Sequence, residues 1–369
     1  MSQSLATYKK IGSYSEDDVK FLLKDLSNLN LEGSTETREK RIQSGEHYSE
    51  SLPVEYFPPR EYLRLFHQTL DDYKKIVALH VGIVAEKIYK SKGKNTVLVS
   101  LARAGTPIGI LIKRYIEWKY STNLPHYSIS IIRGRGIDKN AMNYILEHHP
   151  EGKVQFIDGW TGKGAISIEL TKSCKDFHFE HGIKLDDTLA VLADPGHCTA
   201  LFGTREDFLI PSACLNSTVS GLVSRTVLNS QYIGPNDFHG AKYYKELSEE
   251  DLSNEYLDVI TNEFSAVVKD VSQHLNQFSS NQIEVSFSGI NTVKEMMKEF
   301  NINDMNLIKP GVGETTRVLL RRIPWKILIR DMNSPYVKHI LMLCEDKKVE
   351  VELYPDMEYT CCGLIKDVR

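Results

Sequence analysis

The sequence predicts an α/β protein: a parallel sheet flanked by helices, then a small second unit of alternating helices and strands. Three observations carry this. From residue 96 onward, short apolar runs alternate with helical segments, the texture of a sheet covered on both faces. Three successive runs end in loops rich in Gly, Ala or Arg, where ligands bind in open parallel sheets. Past a Phe278-Ser279-Ser280-Asn281-Gln282 cluster the alternation starts afresh.

Taken in order, a first helix is expected over 15–26 on Val19, Phe21, Leu22, Leu23 and Leu26, followed by a polar stretch over 28–51. Pro58 and Pro59 mark a helix start, and 61–90 keeps helical periodicity through Leu63, Phe66, Leu70, Ile76, Val77, Val84 and Ile88. Strands are expected over 96–101, 127–132, 154–157 and 188–193, with a helix over 107–118 and another opening at Ala165. The run from Phe208 to Gly221 reads as a final strand and a polar elbow, leading into a short helix that carries Arg225. Residues 246–277 read as a long helix rich in acids. The domain reading is therefore 1–277, a linker over 278–290, and a second domain over 291–369. In that second domain, helices are expected over 291–300, 314–322 and 335–345, and strands over 326–329 and 349–353.

Composition bounds the function. With 369 residues, 41% hydrophobic and 25% charged, the chain has the make-up of an ordinary globular protein large enough for two domains. A formal charge of −4 gives no global attraction to nucleic acid, so such binding needs a local patch. No apolar run reaches membrane-spanning length, and Met1-Ser2-Gln3-Ser4 begins no signal-peptide core, so a cytoplasmic protein without a membrane partner is expected. The six cysteines include no CxxC pair, which argues against a zinc knuckle or a disulfide framework.

The segment Asp158-Gly159-Trp160-Thr161-Gly162-Lys163-Gly164 follows an apolar run and precedes a helix. Unsatisfied N–H groups and the helix dipole favour an anion there, glycine permits close approach, and Lys163 adds a charge. Asp158 can accept hydrogen bonds from ribose hydroxyls. The spacing is not that of a Walker P-loop. Ala102-Arg103-Ala104-Gly105 forms a second small loop that could wrap a pyrophosphate, and Arg133-Gly134-Arg135-Gly136 a third, cationic one that could close over an anion.

Together these motifs resemble the type I phosphoribosyltransferases. The resemblance implies a type I phosphoribosyltransferase-like sheet and 5-phosphoribosyl transfer from phosphoribosyl pyrophosphate or a related phosphosugar or nucleotide, with Mg²⁺. It implies Asp158 as the ribose acid, and Thr161, Gly162, Lys163 and Gly164 as the 5-phosphate loop. Ala104 and Gly105 would hold pyrophosphate, with Arg103, Arg133 and Arg135 stabilising its departure. Gly159 stands where that family usually has a second acid. A longer match covers those loops and Ile210-Pro211-Ser212-Ala213-Cys214-Leu215-Asn216-Ser217-Thr218. It resembles the bacterial phosphoribosyltransferase-like proteins of tellurite-resistance and stress gene neighbourhoods, also called StiP-type cysteine proteases, from about Gly12 to the C-terminus. This implies a bacterial, cytoplasmic, stress-linked protein.

The expected chemistry is transferase. One alternative is a cysteine peptidase with Cys214 as nucleophile, for which His197 or His239 could serve as base and Asp194 or Asp237 as the orienting acid. Another is a non-catalytic phosphosugar or nucleotide sensor coupled to RNA.

Residues 307–330 carry six basic residues against one acid, Glu314, a local formal charge of +5. Arg317 and Arg321, four apart, share a helix face, and Lys309-Pro310-Gly311-Val312-Gly313-Glu314 sets a Gly-rich turn at that helix's start. The segment resembles the pelota-type RNA-binding domains through Gly311 and Glu314, with Gly313 in place of their asparagine. The resemblance implies structured RNA as a partner, bound through Lys309, Gly311, Glu314, Arg317 and Arg321.

Overall fold

Val19, Phe21 and Leu23 turn into one core and Leu22 into another, a period of two rather than 3.6. The computed structural model, which describes residues 6–33, 45–277 and 284–366, accordingly has no helix over 15–26. The chain instead enters through strand β1 (Lys20–Phe21) at one edge of a parallel sheet. Pro59 then starts helix α1 (Arg60–Lys92), which Gly93 ends at φ +69°.

The predicted alternation follows. Strand β2 (Thr96–Ala102) leads to α2 (Gly105–Tyr120), β3 (His126–Ile132) to α3 (Lys139–His148), and β4 (Lys153–Ile157) to α4 (Ala165–His181). Strands β5 (Ala190–Ala193) and β6 (Leu201–Thr204) complete a sheet of order β1-β3-β2-β4-β5-β6, all parallel, with Gly136–Ile137 added antiparallel to β3. Along β2 the pleat sends Leu98 toward α1 and α2, and Val97, Val99 and Leu101 toward α3 and α4. Each such fully buried aliphatic side chain contributes on the order of 2 kcal/mol.

After Asp207 the expected strand, elbow and short helix are replaced by two 3₁₀ turns, Pro211–Cys214 and Ser217–Val219. Side-chain hydroxyls compete for the backbone there: Ser220 Oγ donates to Asn216 O at 2.8 Å and Ser224 Oγ to Arg225 O at 2.7 Å. The acidic stretch after residue 245 is likewise split, into a 3₁₀ segment (Lys245–Glu250), α5 (Ser253–Thr261) and α6 (Phe264–Gln277). Asp251 takes the Ser253 N–H and so starts a new helix.

Residues 278–283 of the expected linker lie outside the described residues. The second unit comprises α7 (Ser288–Glu299), β7 (Ile308–Pro310), α8 (Val312–Arg321), β8 (Pro324–Ile329), α9 (Lys338–Lys347), β9 (Glu350–Leu353) and β10 (Cys361–Ile365). Its mixed sheet runs β7-β10-β8-β9, with only β8 and β9 parallel. The pleat of β10 turns Cys361 into the larger core and Cys362 into the small one under α7, so the adjacent cysteines face opposite ways. That larger core is continuous across both units, joining Phe208, Ile210 and Cys214 to Val312, Leu319, Ile327 and Ile340.

Candidate functional site

The carboxyl ends of β2 and β4 carry the predicted loops, and helix α8 of the second unit lies across them. Asp158, at the end of β4, accepts the Gly159 N–H at 2.8 Å. Burial pushes its carboxyl up to about 7, Glu314 adds to this, and Gly159 and Arg317 oppose it. Arg317 pairs with Glu314 at 2.9 Å and lies 4.9 Å over the Trp160 ring. Burial works against the charge of Glu314, but Arg317, Lys309 and Lys163 outweigh it and hold that carboxyl below its ordinary range.

Arg103 and Arg321, remote in sequence, meet on one amide. Arg103 donates to Asn216 Oδ1 at 3.1 Å and Arg321 to the same oxygen at 2.5 Å. A second nitrogen of Arg321 donates to Cys214 O at 2.8 Å. Glu55 acts on both arginines electrostatically and accepts Ser217 N at 3.0 Å and Ser217 Oγ at 2.7 Å. Sequence reading misses Glu55, since nothing local marks a lone acid before a proline pair as a partner of residue 217.

The turn read as a phosphate loop is a docking surface. Thr161 Oγ1 donates to Asp194, and Gly162 O accepts from Tyr359 OH at 3.1 Å. Phe287 packs against Gly164, while Lys163 Nζ donates to Met305 O at 2.6 Å and Ile308 O at 3.1 Å. At the other small loop, Ala104 precedes α2 without capping it by a side chain, and Gly105 lies directly against Ile157 O. The Arg133–Gly136 segment is a hairpin turn rather than a free loop. Arg135 pairs with Glu50, and Arg133 lies 5.5 Å over the Tyr48 ring.

The N-terminus of α8, read as ready for an RNA phosphate, is taken by a carboxylate of the first unit. Asp207 Oδ1 accepts Val312 N at 2.9 Å and Oδ2 accepts Thr360 N at 2.8 Å, close against Gly311. Lys309, Glu314, Arg317, Arg321 and Arg322 line a cleft of about 180 Å³.

Cys214 lies at the end of its 3₁₀ turn, fully buried, with Thr69 Oγ1 at 3.8 Å from its sulfur. Burial pushes its thiol up to about 11, while Thr69, Arg321 and Arg317 pull the other way. The histidines named for it are committed elsewhere. His197 faces Glu358 at 4.0 Å and His239 Nδ1 faces Ser130 Oγ at 2.9 Å. Asp194 holds Cys198 N, Thr199 N and Arg205, and Asp237 pairs with Lys24. Among the described residues no three His, Cys, Asp or Glu side chains form a metal-ligand set.

Against known proteins, residues 12–261 match the model of StiP, the tellurite-like stress resistance cysteine protease, and residues 287–367 that of the PELOTA RNA-binding domain. The chain is 34% identical over 363 residues to the cysteine protease StiP of Acinetobacter baylyi, covering 94% of this chain and 91% of that protein. The chain belongs to the StiP family. It carries a C-terminal PELOTA domain, as the sequence resemblance implied. The transferase expectation is overturned by the same matches, whose names describe a cysteine protease over the very residues read as phosphoribosyl-binding. No helix of this StiP-family chain among the described residues is long and apolar enough to cross a membrane.

Asp158 offers a test of the site's electrostatics. Its folded pKa, about 7, lies above the ordinary 3.8. The favourable contribution is therefore complete below pH 3.8 and lost as pH rises through 7. Asp158→Asn, which keeps the acceptor for Gly159 N–H, is expected to raise the unfolding free energy measured in urea at pH 8 by an amount on the order of 1–2 kcal/mol. At pH 5 the gain should fall by more than half. An equal gain at both pH values would show that Asp158 is ionised in the folded protein throughout.

Proposed function

We propose that this chain is a cysteine peptidase with Cys214 as its nucleophile, built on a phosphoribosyltransferase-like scaffold over 1–277 and joined to a PELOTA RNA-binding unit beginning near residue 291. The observation that carries the choice of Cys214 is electrostatic. It is the one described cysteine whose charged neighbours, Arg317 and Arg321, all favour the thiolate, whereas an aspartate opposes ionisation beside Cys174, Cys198, Cys361 and Cys362, and Cys344 has no charged group acting on it. In the reaction Cys214 Sγ bonds the peptide carbonyl carbon, the C–N bond breaks as the thiol's proton passes to the leaving amine, and water then cleaves the thioester, giving its hydroxyl to the acid and its other hydrogen back to sulfur.

The arrangement is a closed one. Arg321 pins the Cys214 turn, and helix α8 covers it. Opening therefore requires α8 to lift, and RNA bound by the PELOTA unit is the partner that this reading assigns to it. The supports for RNA are the PELOTA match and the basic run over 307–330. A bacterial cytoplasm suits six free cysteines.

In Arg321→Ala, iodoacetamide should alkylate Cys214 at least about tenfold faster than in the wild type, because the turn loses its anchor. Cys214→Ser should abolish hydrolysis of an unfolded protein substrate while leaving the unfolding free energy within about 1 kcal/mol of the wild type. Hydrolysis retained in Cys214→Ser and lost in Cys198→Ser would move the nucleophile to the other side of the Gly162 turn.

A further inference from the structure

Seven cations converge where the two units meet: Arg103, Arg133, Lys163, Lys309, Arg317, Arg321 and Arg322. Among the described residues, only Arg317 of these has a carboxylate partner within ion-pair distance, Glu314. Arg103 and Arg321 end on neutral oxygens of Asn216, Val223 and Cys214, and Lys163 ends on two backbone carbonyls. The side chains of Lys309 and Arg322 make no hydrogen bond or ion pair among the described residues, and the buried Arg317 Nε has no acceptor. The acids within reach are engaged or discharged. Glu314 is paired, Glu55 holds Ser217, Asp304, which acts on Lys309, accepts Asn306 N, and burial draws Asp158 toward its neutral form.

Half-buried cations that end on carbonyls are poorly compensated, because desolvation costs several kcal/mol per ion and a neutral acceptor returns little of it. An anion placed among them would recover that cost. The cleft's 180 Å³ admits a group of phosphate or diphosphate size. Guanidinium forks and ammonium groups together suit its oxygens better than those of one planar carboxylate.

We propose that the cleft between the two units is a binding site for phosphate oxyanions, held by Lys309 and Arg322 from the PELOTA unit together with Arg317 and Arg321. The ligand binds at the seam rather than on the helix terminus that Asp207 already fills. It draws Arg321 away from Cys214 O and Asn216, since a phosphate oxygen is a stronger acceptor than either. The site itself does not depend on Cys214 being a nucleophile, so binding and proteolysis fail or succeed separately.

The test is calorimetric titration of the full-length protein with inorganic pyrophosphate, and with single-stranded RNA oligonucleotides bearing either a 5′-phosphate or a 5′-hydroxyl. Lys309→Gln with Arg322→Gln removes two side chains that make no hydrogen bond or ion pair among the described residues, and circular dichroism checks that the fold is kept. Pyrophosphate or RNA should bind the wild type, with affinity falling at least tenfold in the double variant and a shallower salt dependence. Binding of the 5′-phosphorylated RNA alone assigns the phosphate to an RNA end. Equal binding of both RNAs assigns it to the backbone, and pyrophosphate alone to a free anion. Absence of binding at low salt, affinity unchanged in the double variant, or preference for an acidic peptide over every phosphate probe overturns the proposal.

Discussion

Asp207→Ala is expected to destabilise the chain by on the order of 3 kcal/mol or more and to uncouple its two units. The substitution strands two buried donors, Val312 N and Thr360 N, which have no other acceptor. Burial raises the Asp207 carboxyl to about 6, so its charge is not itself favourable there. Its value lies in the donors it satisfies. Asparagine would present its amide NH₂, itself a donor, to one of those N–H groups and should recover only part of the loss. Urea unfolding read at Trp160, which lies in the seam, and limited proteolysis around residue 284 measure the two effects. An unchanged midpoint in Asp207→Ala would mean that water serves those donors equally well.

Gly105→Ala and Gly162→Ala should behave oppositely, although both glycines lie in loops read as anion-binding. A methyl group on Gly105 would meet Ile157 O at 2.5 Å and Asp158 Cα at 3.1 Å, both backbone atoms that cannot step aside. The expected cost is about 2–3 kcal/mol. On Gly162 the nearest atom, Pro310 O, is 3.9 Å away. That variant should unfold within about 0.5 kcal/mol of the wild type. If Gly105→Ala were neutral, the β2 and β4 loops would have to be looser than their packing indicates.

These contrasts show what the sequence holds and what it withholds. The strands from Thr96 to Ala193 are legible because each is short, rich in Val, Ile or Leu and buried on both faces, even where Ser128, Ser130 or Gln155 interrupts the apolar residues. The first segment misleads, since a dense cluster such as Phe21-Leu22-Leu23 fits a helix stripe and a strand buried on both faces equally well. Strand β10 goes unnoticed because Cys361, Cys362 and Gly363 lack the β-branched bulk that usually marks one. At the site, Arg103, Asp158, Arg317 and Arg321 are each visible as local signals. The convergence of Arg103 and Arg321 on Asn216 is not, since it spans 113 and 105 residues of chain. The basic face of α8 is similarly readable from its four-residue spacing, but not its direction, toward the first unit instead of open solvent.

The sheet's last strand, β6, has only four residues and, among the described residues, no strand beyond it. Lys87 Nζ takes the Phe202 carbonyl at 2.7 Å, and the Arg205 guanidinium lies 3.9 Å from the Phe202 ring centre. A second copy approaching this border finds a short ledge guarded by two positive charges. Strand-to-strand growth between molecules, the usual hazard of an open sheet, is blocked there by residues that also hold the border in place.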